Sequence, residues 1–201
     1  ILPGEESVSL GGNVATNAGG MRAVKYGVTR HQVLGMEAVL PTGEIIRSGG
    51  KYVKFTTGYD LGQLIIGSEG TLAVVTEVTL KVVPRLAHKA TLLAPFATLA
   101  EVTEAVPTIL HAGLVPLMLE YVDAMAMSAT SESLGLDLGM PDEIKEGALA
   151  YLLVVLESSD DDRLQADLER AGGIVGEAGA MDIYVLPAAA GAQVLEAREK
   201  A

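Results

Sequence analysis

The chain has 201 residues, a formal net charge of −12 at pH 7 and no cysteine. This length allows one large domain or two small ones, each able to bury a hydrophobic core. The negative charge argues against nucleic acid or an anionic membrane surface as a partner, because both require clustered Lys and Arg. Without cysteine there is no disulfide and no thiolate chemistry, and the histidines at 31, 88 and 111 lack metal-ligand spacing.

No apolar run approaches the roughly 20 residues of a membrane span, and the N-terminal residues do not resemble a signal peptide. The sequence therefore predicts a cytoplasmic protein without a transmembrane segment, with peripheral attachment to a membrane complex as the alternative. Hydrophobic residues nevertheless make up 49% of the chain, its mean hydropathy is +0.36, and it begins with Ile1. These features predict a fragment with exposed apolar surface, through which it could form a homo-oligomer.

The stretch Gly11–Gly20, GGNVATNAGG, contains four glycines and two asparagines. Glycine is best used where φ is positive or where a ligand approaches the main chain, because it costs conformational entropy elsewhere. From composition alone, this stretch is either a cofactor-binding segment or an ordinary surface loop. A second glycine-rich turn, Gly67–Gly70, follows later in the chain.

The segments after this stretch predict a small sheet. Val33–Leu40 and Glu44–Arg47 flank a Pro-Thr-Gly turn, which is typical of a β-hairpin. Gly58–Gly67 is predicted to be a short helix with Asp60 as its N-cap. Thr71–Val83 alternates with a period of two, which predicts a long strand. Its predicted apolar face consists of Val74, Thr76, Val78, Leu80 and Val82.

Glycine becomes sparse and alanine common after Pro84–His88, which predicts a domain boundary there. The second part is predicted to alternate strands and helices, with the helices on one face of a sheet. A capping box formed by Thr98 and Glu101 opens the first helix, and Pro107 is expected to kink or interrupt it. The predicted strands are Ala90–Ala94, Leu114–Val122, Ala148–Leu156 and Asp182–Leu186, and the other predicted helices are Asp123–Leu134, Asp160–Ala171 ending at Gly172-Gly173, and a helix from Ala188 onward.

Three motifs occur in order: GGNVATNAGGMRAVKYGVTR, VLGMEAVLPTGEIIRSGGK and TTGYDLGQLIIGSEGTLAVVTEVTLKVVP. Together they resemble the FAD-linked oxidase family of vanillyl-alcohol oxidase type, in the branch of the glycolate oxidase flavoprotein subunit and the D-lactate and D-2-hydroxyglutarate dehydrogenases. The resemblance implies an α+β fold. Residues 1–88 would form the second half of a PCMH-type FAD-binding domain, and residues 89–201 the first part of a ferredoxin-like cap domain for the substrate. The pyrophosphate-binding loop, the metal ligands and the catalytic base would lie in parts of the protein outside this chain.

The resemblance also implies site residues. The proposed FAD contacts are Gly12, Asn13, Thr16, Asn17, Ala18, Gly19, Gly20, Ser68, Glu69, Gly70, Val74 and Val75. For Gly67–Gly70 a plain turn into a strand is the alternative. Arg198, in VLEAREKA, matches the arginine of the family's Leu-Trp-x-x-Arg helix, which binds the substrate carboxylate, although Leu195 replaces the tryptophan. Its alternative is an ordinary surface arginine. No catalytic residue and no metal ligand is assigned within this chain.

The resemblance implies an FAD-dependent dehydrogenase that oxidises a D-2-hydroxy acid, such as glycolate or D-lactate, to the 2-oxo acid by hydride transfer to flavin. The electron acceptor is left open. One alternative is a non-catalytic flavin-binding or interaction subunit of an oxidase complex, and another is a reductase acting on a nucleotide sugar. Because the pyrophosphate loop is expected outside the chain, the 201-residue piece alone is expected to bind FAD weakly or not at all.

Overall fold

The computed structural model describes residues 8–135, 138–187 and 190–194. It contains two compact units, Ile1–Pro84 and Arg85–Ala201. The division after Pro84 lies at the start of the Pro84–His88 stretch where the sequence predicts a boundary. The first strand of the second unit begins at His88, the last residue of that stretch, where it pairs with Ser158. The few residues after Pro84 therefore belong with the sheet that follows them.

The first unit contains a three-stranded antiparallel sheet in the order β2-β1-β3 and short helices. The predicted β-hairpin of β1 and β2 is confirmed. The elements are α1 (Leu10–Thr16), α2 (Ala23–Tyr26), a 3-10 turn (Thr29–His31), β1 (Val33–Val39), β2 (Ile45–Gly49), α3 (Leu61–Ile65) and β3 (Val74–Leu80).

Much of the glycine-rich stretch is helical, which the loop interpretation did not anticipate. Ser9 is the N-cap of α1, and its hydroxyl accepts a hydrogen bond from the backbone N–H of Gly12 at 3.0 Å. This bond satisfies one of the N–H groups that a helix leaves without an internal partner. Val14, on the same helix, is fully buried. A cap and one apolar anchor thus outweigh the low helix propensity of Gly11 and Gly12.

Strand β3 is shorter than predicted, and its alternation is broken by a bulge. Glu77 pairs with Glu37, but the next partner along β1, Ala38, pairs with Val75, so Thr76 is an extra residue. A bulge of this kind shifts the following side chains to the other face. As a result Val75 and Val78 both pack on the core, and the predicted apolar face that included Val74 and Thr76 is wrong.

The core of the first unit is small and lies between one face of the sheet and the helices α1 and α3. The predicted N-cap of α3 is confirmed, since an Asp60 carboxylate oxygen accepts from the N–H of Gln63 at 3.1 Å. The helix ends at Ile65 with Ile66 as its C-cap, and Gly67, the predicted end of the helical segment, follows directly with φ +84°. The buried residues of this core are Val14, Met36, Ala38, Ile65, Ile66 and Ala73.

The second unit has a four-stranded antiparallel sheet in the order β5-β6-β4-β7. Helix α4 links β4 to β5, and α7 links β6 to β7, which is the β-α-β-β-α-β arrangement of ferredoxin-like folds. Helices α5 and α6 are inserted between β5 and β6. The elements are β4 (His88–Phe96), α4 (Leu99–His111), β5 (Met118–Asp123), α5 (Ala124–Leu134), α6 (Asp142–Gly147), β6 (Ala150–Ser158), α7 (Asp161–Glu177) and β7 (Tyr184–Leu186).

The capping box of α4 is confirmed. Of the two outcomes predicted for Pro107, a kink or an interruption, the interruption is wrong, and so is the predicted end of α7 at Gly172-Gly173. Thr98 accepts from the N–H of Glu101, whose carboxylate accepts from the N–H of Thr98. Helix α4 runs through Pro107 to His111, because proline removes only one internal hydrogen bond and Ile109, beyond it, is fully buried.

Helix α7 likewise continues beyond Gly172 and Gly173 to Glu177. Ala171 and Val175, on either side of the two glycines, are completely buried. Their packing offsets the roughly 1 kcal/mol that each glycine costs relative to alanine in a helix.

Both faces of this sheet are covered, which contradicts the prediction of helices on one face. Leu92 faces α7, where it lies 3.9 Å from the position of a Cβ built on Gly172. On the opposite face, Thr91 lies against Gly191 in the helical residues 190–194, the described part of the predicted C-terminal helix. Tyr151, on that same face, shares a cavity of about 240 Å³ with Met127 of α5. The inserted helix α5 therefore gives the sheet a second layer.

Candidate functional site

The two glycine-rich segments of the first unit lie side by side and are joined by backbone hydrogen bonds. The N–H of Gly67 donates to the carbonyl of Val14 at 3.0 Å, and the N–H of Glu69 donates to that of Ala15 at 2.9 Å. The residues expected from two distant parts of the sequence are thus brought together on one surface. The N–H of Glu69 thereby satisfies the carbonyl of Ala15, while the carbonyl of Val14 also accepts from the N–H of Asn17 at 3.3 Å.

Arg30 fixes the geometry of this junction, and sequence reasoning missed it. Its backbone N–H donates to Asn17 Oδ1 at 3.0 Å, and its Nη2 donates to the carbonyl of Ile66 at 3.1 Å. Gln63 Nε2 donates to the carbonyl of Arg30 at 3.2 Å. Arg30 therefore links the end of α1 to the end of α3. Its position at the end of the first of the three motifs, next to Thr29, was the signal available in the sequence.

Two of the predicted FAD-contacting residues use their polar groups inside the fold. Asn17 adopts a left-handed conformation with φ 50° and ψ 48°, and its Oδ1 is occupied by Arg30. The carbonyl of Ala18 accepts from both the N–H and the hydroxyl of Thr29, and its own N–H donates to the carbonyl of Asn13. These groups hold the segment together.

Other predicted contacts face outward. Thr16 is exposed and lies one turn after Gly12, to whose carbonyl its hydroxyl donates at 3.0 Å. Asn13 and Ser68 are half-buried beside these residues. Within the two glycine-rich segments, the exposed members of the predicted set are Gly12, Thr16, Gly19, Gly20, Glu69 and Gly70.

The glycines differ in why they are needed. A Cβ on Gly12 would lie 2.9 Å from Ser9 Oγ, and one on Gly19 would lie 2.9 Å from a methyl of Val28, so packing within the fold explains both. Gly70 has φ +78°, which other residues rarely adopt. Neither explanation applies to Gly11. This residue lies in a helix and has no positive φ, and a Cβ built on it would meet no atom within 4 Å.

Glycine at position 11 therefore makes the helix less stable than alanine would, and no described neighbouring residue excludes a larger side chain there. A ligand that approaches the main chain closely would explain it. We call the exposed backbone of Gly11, Gly12, Gly19, Gly20 and Gly70 the glycine face. Exposed glycine backbone lets a ligand approach the main chain, so these residues are compatible with FAD. Sequence reasoning included Gly11 in the stretch but not among the contacts.

The remaining predicted contacts are placed differently. The side chain of Val74 is 64% exposed, whereas Val75 packs on the core, so the two lie on opposite faces of β3. Arg198 lies outside the described residues. His31 and His111 are exposed residues at helix ends. His88 instead begins β4, where its Nδ1 is 3.5 Å from Asp161 Oδ1.

The groups with shifted pKa are not members of the glycine face. Hydrogen bonds from Thr76 and Arg47 lower the pKa of Glu37, on the sheet of the first unit. In the second unit, burial and a 2.7 Å hydrogen bond to Asp182 raise the pKa of Tyr184 to about 12. Among the described residues, His, Asp and Glu form no group of three or more able to hold a metal ion.

Membrane insertion through a helix has no support in the part of the chain that the structure describes. None of the helices there combines the length and the apolar composition that crossing a bilayer requires.

Comparisons with known proteins match both units. The family model for the C-terminal domain of FAD linked oxidases matches residues 85–201, and an FAD binding domain model matches residues 3–49. An uncharacterized FAD-linked oxidoreductase of Mycobacterium tuberculosis is 58% identical over 201 residues, covering 100% of this chain and 44% of that protein. A D-lactate dehydrogenase of Anaerostipes hadrus is 43% identical, covering 91% of this chain and 38% of the relative.

A glycolate oxidase subunit of Bacillus subtilis is 36% identical, covering 87% of this chain and 36% of the relative. The chain thus spans less than half the length of these curated relatives. Among solved structures, an alkyldihydroxyacetonephosphate synthase superposes with a TM-score of 0.67 at 21% identity, covering 93% of this chain and 35% of the other. That likeness concerns the α+β fold alone. The family match covers more than half of the chain, and the chain therefore belongs to the FAD-linked oxidases, whose cofactor is FAD.

Proposed function

We propose that the protein containing this chain is an FAD-dependent dehydrogenase that oxidises a D-2-hydroxy acid to the corresponding 2-oxo acid. The observation that carries the proposal is the junction of the two glycine-rich segments, in which Gly67 and Glu69 donate to the carbonyls of α1. The junction brings the second glycine-rich segment against the end of α1, the helix that contains Gly11 and Gly12. In the proposal, residues 1–88 contribute one side of the FAD site and residues 89–201 contribute to the substrate domain.

The roles of the chain's residues follow from their placement. The glycine face lets the flavin approach the main chain, while the Asn13 amide and the Thr16 hydroxyl lie beside it and can orient polar atoms of the cofactor. Ser68, Glu69 and Gly70 border the same surface from the second segment. FAD supplies the hydride-accepting chemistry when bound. Arg198 is proposed to hold the substrate carboxylate through paired hydrogen bonds.

The names of two relatives support this substrate class, since one is a D-lactate dehydrogenase and another a glycolate oxidase subunit. A second candidate is a non-catalytic flavin-binding subunit of an oxidase complex. It is favoured by the exposed apolar side chains of the first unit, including Val53 at 84% and Tyr59 at 90% exposure. The same surface supports a proposal of self-association, which sedimentation of the purified protein would reveal.

The test of the proposed function uses the full-length protein, purified without oxygen. We expect a yellow protein whose flavin absorbance is bleached by D-lactate or glycolate and not by L-lactate. A protein that retains FAD but is bleached by no 2-hydroxy acid would support the subunit candidate instead. A protein that neither contains nor binds FAD would contradict both.

The glycine face is tested separately with matched substitutions of two exposed helical glycines. A Cβ on Gly11 and a Cβ on Gly173 would each meet no atom within 4 Å. Replacing either glycine with leucine should therefore leave the fold intact. We expect Gly11→Leu to weaken FAD binding to the full-length apoprotein by about tenfold or more, because the side chain occupies the face, whereas Gly173→Leu should not. Equal FAD affinity in the two variants would remove Gly11 from the site.

A further inference from the structure

Two non-glycine residues among those that the structure describes have a positive φ, and they lie in the two glycine-rich segments. Asn17 has φ 50° and Glu69 has φ 52°. This conformation is unfavourable for a residue with a side chain, because the Cβ comes close to the following carbonyl oxygen. Strained residues persist where neighbouring groups hold them, and they cluster at ligand-binding sites. The backbone at Asn17 and Glu69 therefore depends on the groups bonded to these segments.

Arg30 is hydrogen-bonded at the ends of both segments. Its N–H donates to the Asn17 side chain, and its guanidinium donates to the carbonyl of Ile66, the residue before Gly67. Its own carbonyl accepts from the Gln63 side chain on α3. Arg30 thus uses its N–H, its carbonyl and its side chain on three different partners.

The guanidinium also lies where the two segments pack most closely. A Cβ built on Gly67 would be 3.1 Å from the Cβ of Asn17 and 3.5 Å from Arg30 Nη2. Ile66 is only 2% exposed, and a carbonyl in such a position needs a donor. A charged donor makes a stronger hydrogen bond than a neutral one. The side chain of Arg30 therefore helps to set the distance between the two segments.

The bonds of Arg30 precede a turn that is itself tied to α1. Directly after Ile66, the N–H of Gly67 donates to the carbonyl of Val14, and the N–H of Glu69 to that of Ala15. If the Ile66 carbonyl lost its donor, the start of this turn would be less firmly held against α1. The strained backbone at Glu69 lies within the same turn.

We propose that Arg30 is a positioning residue for FAD, which holds the two glycine-rich segments in their binding geometry without contacting the cofactor. This inference rests on the proposed function, because it takes both segments to be part of the FAD site. Segments that are already ordered bind a ligand more tightly, since less conformational freedom is lost on binding. Removal of the guanidinium therefore lowers FAD affinity although every residue that faces the cofactor is unchanged.

The experiment compares three variants of the full-length apoprotein. Arg30→Met removes the guanidinium but keeps a long side chain, and Arg30→Lys keeps a cationic donor for the Ile66 carbonyl. Met36→Ala is the stability control, because Met36 is buried in the core of the same unit. FAD and riboflavin are titrated into each protein below its melting temperature, and the visible circular dichroism of the bound flavin is recorded.

We expect Arg30→Met to weaken the binding of both FAD and riboflavin by about tenfold or more, because the geometry of the whole site is changed. The visible circular dichroism of the flavin that still binds should change as well. Arg30→Lys should recover most of the affinity. Met36→Ala should melt earlier than the wild type but bind both ligands with wild-type affinity.

Several results would overturn the positioning role. One is wild-type FAD affinity in Arg30→Met, and another is an equal loss of affinity in Met36→Ala. A loss confined to FAD would overturn it too, because riboflavin has no phosphate and Arg30 would then contact a cofactor phosphate directly. So would an Arg30→Lys variant that binds as weakly as Arg30→Met. If Arg30→Met does not fold, Gln63→Met carries the same comparison through the bond to the Arg30 carbonyl.

Failure of this inference can be distinguished from failure of the proposed function. A wild-type protein that does not bind FAD contradicts both. A protein that binds FAD but is bleached by no 2-hydroxy acid contradicts the dehydrogenase proposal alone, because the titrations need no turnover. Unchanged affinity in Arg30→Met, in a protein that D-lactate or glycolate bleaches, contradicts this inference alone.

Discussion

The two units of the chain differ in the size of their buried cores and in how their sheets are covered. Among the described residues, the main core cluster of the second unit contains fifteen buried residues, including the fully buried Phe96, while that of the first contains six. The second unit covers both faces of its sheet with its own helices. The first packs helices against one face, and on the other face Ile45 and Val74 are each 64% exposed on either side of Val39.

This difference suggests that the second unit serves mainly as a scaffold and that the first unit carries the proposed binding surface. The free energy gained by burying apolar groups scales with the area removed from water, so the second unit gains most of its stability from packing. The first unit depends more on specific hydrogen bonds, such as those from Arg30 to Asn17 and Ile66. It also leaves residues 51–60 exposed, with the rings of Tyr52 and Phe55 5.6 Å apart. Substitutions in the two units should therefore act through different mechanisms.

The largest effect is expected in the core of the second unit. Leu152 on β6 is completely buried, and Leu149, just before this strand, is 64% exposed. Leu152→Ala should lower the free energy of unfolding by about 2–5 kcal/mol, because it removes buried methyl groups and leaves a cavity. Leu149→Ala should change it by less than about 0.5 kcal/mol. Urea unfolding followed by circular dichroism measures both, and similar losses in the two variants would show that the strand is not packed as described.

The second largest effect is expected at Asn17 in the first unit, and it should come from backbone geometry and hydrogen bonding. Asn17→Ala places alanine at φ 50° and removes the acceptor for the N–H of Arg30. The expected loss is about 2 kcal/mol, roughly half from the left-handed conformation and half from the hydrogen bond. Asn17→Gly restores the conformation only, so it should lose less than the alanine variant. Thermal unfolding distinguishes the two, and a glycine variant as unstable as the alanine variant would contradict the conformational part.

The same contrast explains which features the sequence could predict. Elements defined by local chemistry were predicted correctly, among them the β1–β2 hairpin and the helix caps at Asp60, Thr98 and Asp123. Each of these depends on residues within a few positions of one another, so the pattern is complete in the sequence. The apolar run of β6 also identified a strand in the interior of its sheet.

Features that depend on distant contacts could not be predicted in this way. The bulge at Thr76 follows from pairing with Glu37, whose carboxylate accepts from the Thr76 hydroxyl at 2.9 Å. Helix α7 continues through two glycines because its neighbours are buried against the sheet. The glycine face was predicted as a segment, but only the structure separates Gly11, which has no internal role, from Gly19, which packs on Val28.

A smaller effect is expected at the N-terminus of α4 in the second unit. The hydroxyl of Thr98 accepts from the N–H of Glu101, so Thr98→Ala should cost about 1 kcal/mol of stability. Thr103→Ala is the matched control, because Thr103 lies within the same helix and its hydroxyl only donates back to the carbonyl of Ala100. Equal melting temperatures in the two variants would show that the cap contributes no measurable stability.

The smallest effect, a pH dependence, is expected at Glu37 on the open face of the first unit. Hydrogen bonds from Thr76 and Arg47 hold the pKa of this carboxylate below its ordinary value. Because the folded-state pKa is depressed, the contribution to stability is present above the ordinary pKa and is lost as the pH falls through the folded value. The loss of stability on acidification should therefore be smaller in Glu37→Gln than in the wild type. Carboxyl NMR titration provides the direct check, and an ordinary pKa for Glu37 would show that the Thr76 and Arg47 hydrogen bonds do not persist in solution.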